Sequence, residues 1–348
     1  MRNKKRIICL ILCALLLSSC STGGEADDQQ KKVGGKGDPI EIGVTFDSFV
    51  IERWERDRDI FVSTAKDLGA EVNVQNANGD VNKQKDQIKY FIEKGVDVIV
   101  VVAVDSNALA GEMREAKAKN IPVIAYDRLV RNAGVDLYIS FDNEMVGHYM
   151  AKALLTSLSG KGKILKINGP AKDNNVSLVN KGFDETMAGR NIRVVDVYYA
   201  SEWNGEEAFR YLEDHQDLAD SVDGVMCGND SLAGQAVRYY SVKRRAGEVA
   251  VVGQDADLDA CQRVVEGTQT MTVYKPIEKL AKKAAECAVK LASGQGVDTD
   301  DSVEDGRYTV PYVKIDPIAV TKDNMDEEII DSGFHLREDV YLTRQQGE

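Results

Sequence analysis

The chain has 348 residues, room for two domains of roughly 100–200 residues each, and its 43% hydrophobic and 29% charged content is that of a globular protein with a sizeable core. Its 44 Lys and Arg against 57 Asp and Glu leave a net charge of −13, an acidic balance that would repel a phosphate backbone and argues against nucleic acid as a partner. The three histidines, His148, His215 and His335, lie far apart in sequence, too little for a histidine-based metal site or triad, so neither metal nor other cofactor is expected.

Arg2, Lys4, Lys5 and Arg6 precede an apolar run from Ile7 to Leu17. Those eleven residues, at about 1.5 Å each in a helix, fall well short of a hydrocarbon core of roughly 30 Å. Residues 1–19 therefore read as a signal peptide and not as a membrane span. The run ends in Leu17-Ser18-Ser19-Cys20, which resembles the bacterial lipobox, where the cysteine is lipidated and becomes the new N-terminus. The alternative is a signal peptide with a chance cysteine. Cleavage before Cys20 would remove four basic residues and take the net charge from −13 to −17. Residues 20–37, rich in Gly, Ser, Gln, Asp and Lys, carry no apolar periodicity and are expected to form a flexible tether. The expected product is a folded body held by a lipid on the outer face of the cytoplasmic membrane. Cys227, Cys261 and Cys287 remain in that body and read as three buried free thiols, the alternative being one disulfide and a leftover.

From Pro39 onward, short β-type runs alternate with helical patterns, the signature of parallel α/β architecture. Strands are expected at Ile40–Phe46, Glu71–Gln75, Val96–Val104, Ile121–Tyr126 and Leu137–Phe141, with helices at Trp54–Leu68, Asn82–Lys94 and Ala108–Lys119. The pattern then restarts, with strands at Lys163–Ile167, Arg193–Tyr199, Gly224–Cys227, Val249–Val252 and Met271–Tyr274. Helices lie between them at Val176–Met187, Glu206–Asp214, Ser231–Lys243 and Leu258–Val265. A helix over Pro276–Leu291 and a strand over Tyr308–Lys314 follow. Two doubly wound, Rossmann-like parallel-sheet domains are expected: residues 38–141 with 275–310, and 142–274 with 311–345.

Ligands of such sheets sit beyond the carboxyl ends of the strands. Those ends carry Arg53-Trp54, Asp105, Asp127-Arg128, Asp173-Asn174-Asn175, Trp203, Asn229-Asp230, Asp255 and Lys275, including both tryptophans of the chain. Carboxylates accept from hydroxyls, Arg and Lys donate, and Asn does both. Indoles cover the C–H faces of a sugar ring. Each residue alone also fits a plainer role: Asp105, Asp173 and Asp230 as helix caps, Asp127-Arg128 as a surface ion pair, Lys275 as a solvated lysine, the tryptophans as core. Caps, however, do not require tryptophans and arginines on the same rim, and together the tips point to a cleft for a polar small molecule.

Enzymatic alternatives are a Schiff base at Lys275 or an acid–base pair of Asp127 and Asp255. No phosphate loop, dinucleotide fingerprint or nucleophile elbow accompanies them, and Ser159-Gly160-Lys161-Gly162 reads as a turn. The chain reads as a binding protein with no catalytic residues.

ERWERDRDIF (52–61), AYDR (125–128), YISFDNE (138–144), DNN (173–175), GND (228–230), GQDADL (253–258) and GTQTMTVYKPI (267–277) closely resemble the bacterial xylose-binding members of the periplasmic type I sugar-binding family. The likeness runs from about Pro39 to about Phe334. It implies two lobes joined by three crossover strands, a monomer that closes on a monosaccharide, D-xylose, and delivers it to an ABC permease; the alternative partner is a membrane histidine kinase or chemoreceptor. It implies hydroxyl ligands at Arg53, Asp127 and Arg128 from one lobe and Asn175, Asn229, Asp255 and Lys275 from the other lobe and hinge. Trp54 and Trp203 would sandwich the pyranose. Asp47–Val50 and Ser201-Glu202 depart from the family pattern.

Overall fold

In the computed structural model, residues 39–51, 53–299 and 301–342 are described; the expected signal peptide, Cys20 and the tether lie outside them. Strands β1 (Ile40–Phe46), β2 (Ala70–Asn76), β3 (Val98–Val101), β4 (Val123–Tyr126) and β5 (Leu137–Phe141) alternate with helices α1 (Arg53–Asp67), α2 (Val81–Lys94) and α3 (Ala110–Ala118). They pair in parallel in the order 2-1-3-4-5. The central strands β3 and β4 are buried along their whole length, as runs of Val, Ile and Ala covered on both faces must be.

The chain then builds the same permutation again. Helix α4 (Asn143–Ser157) leads into β6 (Lys161–Asn168), α5 (Asn174–Met187), β7 (Asn191–Tyr199), α6 (Gly205–Asp214), α7 (Gln216–Ala219), β8 (Gly224–Cys227), α8 (Asp230–Val242), β9 (Ala250–Gln254), α9 (Leu258–Glu266) and β10 (Met271–Tyr274). These strands stand in the order 7-6-8-9-10, all parallel. Helix α10 (Ile277–Ala292) returns to the first sheet, where its alanine-rich face shares a core with Phe61 and Ala65 of α1. Strands β11 (Asp301–Glu304) and β12 (Thr309–Ile315) extend that sheet beside β5. Strand β13 (Ile318–Val320) joins the second sheet antiparallel to β10, and α11 (Arg337–Tyr341) follows. Cys227, Cys261 and Cys287 are buried and free.

The chain thus passes between two α/β domains three times, at Asp142, at Lys275-Pro276 and at Asp316-Pro317. The third passage corrects the boundary expected at residue 311. Strand β12 runs on in register with β5 as far as Ile315, opposite Phe141, because Tyr312 stacks on Tyr138 at 4.7 Å and donates its hydroxyl to the Phe141 carbonyl at 2.8 Å.

Helix α4 is the long element that the apolar pattern does not announce. Beside the buried Val146, Met150, Ala151 and Leu154, glycines bring it close to α5. A Cβ on Gly147 would stand 1.9 Å from the Val179 carbonyl oxygen, and one on Gly182 would stand 1.9 Å from that of Glu144. Neither oxygen can retreat without moving a helix. Overpacking of this kind costs about 1–3 kcal/mol, and backbone clashes lie at or above the upper end. Gly147→Ala and Gly182→Ala are each expected to lower stability by about 3 kcal/mol in urea unfolding. Gly111→Ala, where a Cβ meets nothing within 4 Å, should leave it unchanged or slightly raised. Equal effects at the three positions would contradict this packing.

Candidate functional site

Two aspartates occupy equivalent places in the two sheets. Asp127 follows β4 and Asp255 follows β9, and each turns out of its strand into the left-handed region, with φ of 62° and 100°. Each keeps one tie to the neighbouring strand: Asp127 N–H donates to Ile139 O and Asp255 N–H to Val273 O, both at 2.8 Å. Such a conformation costs a non-glycine residue about 1–3 kcal/mol and is found chiefly where function demands it. Here it turns a carboxylate from each domain toward the same space.

Arg53, at the start of α1, donates to Asp127 at 2.9 Å and comes within 4.0 Å of Asp255. Asn175, near the start of α5, donates Nδ2 to the other oxygen of Asp127 at 2.8 Å. Lys275, on the second passage between the domains, lies 3.2 Å from Asp255. Arg128 bridges Asp173 at 2.7 Å and Asp47 at 2.6 Å, and also donates to Ala103 O at 3.1 Å. The Arg128–Asp173, Arg53–Asp255 and Asn175–Asp127 contacts each join one domain to the other.

Trp54 lies beneath the Arg53 guanidinium, 4.4 Å from its ring centroid. Trp203 rests on Gly169, where a Cβ would fall 2.5 Å from the indole, and donates Nε1 to Asp173 at 3.3 Å. Eight of the nine expected ligand residues, together with Ile51, Asp173 and Gln254, line one small space of about 20 Å³, room for about one water.

The electrostatics follow from burial and pairing. Burial alone would raise the Asp127 carboxyl, but the Arg53 guanidinium, with Lys275 and Arg128, holds it below the usual carboxylate range. Burial raises Asp173 in spite of Arg128. Burial also works against the charge on Arg53 and Arg128, yet the carboxylates around them raise both above the ordinary value. Trp54 Nε1, Asn175 Oδ1 and Gln254 Oε1 are buried without a hydrogen-bond partner among the described residues. Buried polar atoms are seldom left so, and all three belong to residues that line this one space.

The ninth residue, Asn229, is buried on the same rim but caps α8, its Oδ1 accepting from Leu232 N at 2.9 Å. It lines a neighbouring space that shares Ile51 and Trp203 with the first. Asn229, not Asp230, is thus the cap of that helix. Asp57 was not among the expected residues. It is fully buried and accepts from Arg53 Nε at 3.0 Å and from the Tyr126 hydroxyl, fixing the guanidinium from behind. The signal for it was the i,i+4 spacing of Arg53 and Asp57 on one helix.

A model of the periplasmic binding protein domain matches residues 42–296. The chain is 42% identical to a D-xylose-binding periplasmic protein of Haemophilus influenzae, over 87% of this chain and 92% of that protein. It is 40% identical to a D-xylose-binding periplasmic protein of Escherichia coli, over 85% and 91%. An ABC transporter solute-binding protein from Clostridium phytofermentans, solved with bound β-D-glucose, superposes with a TM-score of 0.78 at 27% identity, covering 86% of this chain and 99% of that one.

Trp54 and Trp203 are the two tryptophans of the chain, and both are buried. Gly169→Ala is expected to push the Trp203 indole off the end of β6 and shift tryptophan emission to the red. An unchanged spectrum would mean that Trp203 does not rest on that glycine.

Proposed function

The chain belongs to the periplasmic binding protein domain family, and from that premise we propose that it captures D-xylose outside the cytoplasm and delivers it to an ABC permease. The observation that carries this reading is the single polar space built from both domains, in which Asp127 and Asp255, with their cationic and amide neighbours, face each other across the passage between the sheets.

The proposed lobes are residues 39–141 with 275–315, and 142–274 with 316–342. In the first lobe Arg53, Asp127 and Arg128 serve as hydroxyl ligands, and in the second lobe and hinge Asn175, Asp255 and Lys275 do so. Asn229 contributes through its Nδ2, since its Oδ1 is committed to the helix cap. Trp54 and Trp203 cover the ring faces. The sugar's hydroxyls take over partners that these groups otherwise find in one another. Neither lobe alone satisfies all of them, so the sugar shifts the equilibrium toward closure by its preference for the closed form.

Binding without turnover fits the same geometry. Lys275 Nζ is ion-paired with Asp255, and Asp127 is shared between Arg53 and Asn175, so both groups already serve as polar partners within the site. The lipobox-like Leu17-Ser18-Ser19-Cys20 supports anchoring through Cys20 to the outer face of the cytoplasmic membrane. Mass spectrometry of the mature N-terminus tests this, with a diacylated Cys20 expected and an unmodified one contradicting it.

Truncating one charged ligand inside a closed cleft costs about 2–5 kcal/mol, partly because its partners are stranded. D-xylose is therefore expected to raise the thermal midpoint of the full chain. Asp255→Ala and Arg128→Ala should each weaken D-xylose binding at least about 30-fold by calorimetry, with circular dichroism unchanged. Wild-type affinity in both variants would overturn the assignment.

A further inference from the structure

We propose that the cleft continues into a second subsite that holds another sugar ring, so that the protein also binds a β-linked disaccharide whose terminal xylose fills the inner space. The inference rests on the monosaccharide reading and extends it. Beside the inner space of about 20 Å³ lies a groove of about 310 Å³, within the range of small-molecule sites. The two spaces share Arg128, Asp173 and Trp203 as walls, so they are neighbours at the interface between the domains.

The walls of the groove repeat the chemistry of the inner site. Asp47, Phe49 and Asn78 face it from the first domain, and Lys172, Glu202 and Trp203 from the second. This set again combines carboxylates, an amide, an ammonium and aromatic faces, suited to hydroxyls and C–H surfaces. Asp47 is the specific pointer. Its side chain is 9% exposed, and one oxygen holds Arg128 at 2.6 Å. The other, Oδ1, is buried and has no hydrogen-bond partner among the described residues, a position that a sugar hydroxyl would satisfy.

Backbone geometry shapes the opposite wall. Glu202 and Trp203 both adopt left-handed φ, 50° and 60°. This bend brings the Glu202 carboxylate over Gly79 of the first domain, 3.2 Å from where a Cβ would stand. It also sets the Trp203 indole between the two spaces.

Calorimetry of the full chain with D-xylose and with β-1,4-xylobiose tests the proposal. Xylobiose is expected to bind within about tenfold of D-xylose. Ser48→Trp, which fills the groove, should weaken xylobiose at least 30-fold and D-xylose less than threefold. Asn78→Ala, a gentler change, should weaken xylobiose alone, by about fivefold. If D-xylose binds but xylobiose binds more than 100-fold more weakly, the subsite is wrong and the monosaccharide reading stands. If neither sugar binds, that reading fails and the subsite with it. Equal loss of both sugars in Ser48→Trp would show that the groove is no separate subsite, and would equally overturn it.

Discussion

The structure turns on a set of charges taken out of water where the two domains meet. Asp47, Asp57, Asp127, Asp173 and Asp255 lie there with Arg53, Arg128 and Lys275, each less than a tenth exposed. A buried ion costs several kcal/mol unless its partners are in place. Because partners come from both domains, the arrangement is favourable only when the domains are apposed. The five carboxylates outnumber the three cations, so acceptor capacity remains after every cation is paired. Hydroxyls are donors of the right kind to use it, and they bring no charge that would have to be desolvated in turn.

The repeated 2-1-3-4-5 sheet explains how the groups come to face one another. Each domain supplies an aspartate from the end of its fourth strand, turned by the same left-handed step and tied to its fifth. The fifth strand is also where the chain leaves one domain for the other. The passages at Asp142 and Lys275 and the proposed ligand carboxylates Asp127 and Asp255 are therefore adjacent by topology. Asp57, itself bonded by the Tyr126 hydroxyl, holds Arg53 from the first-domain side, so that end of the network is tied within one domain.

Much of this was legible in the sequence because parallel α/β folds place their polar tips at predictable points. The apolar runs fixed the strands, and the residues after them supplied Arg53, Trp54, Asp127, Arg128, Asn175, Trp203, Asp255 and Lys275, all of which the structure brings to one space. What stayed hidden has physical causes. Helix α4 contacts α5 through Gly147 and Gly182, and its buried stripe of Val146, Met150, Ala151 and Leu154 is flanked by further apolar residues, Met145, Tyr149 and Leu155, which blur the periodicity. Asn229 spends its carbonyl oxygen on a helix cap, a use that residue type alone does not separate from ligation. The last crossing lies beyond Ile315 because Tyr312 binds across to β5, a tertiary contact with no local signature. Asp47 gains its meaning only from Arg128, 81 residues away.

The most direct measurement is a crystal structure of the protein with D-xylose. The account predicts one pyranose contacted from both sides, with Arg53 and Asp127 of one domain and Asn175, Asp255 and Lys275 of the other domain and hinge within hydrogen-bond distance, and the indoles of Trp54 and Trp203 against its faces. A sugar held by residues of one domain alone, with Asp127 and Asp255 on separate surfaces, would contradict it.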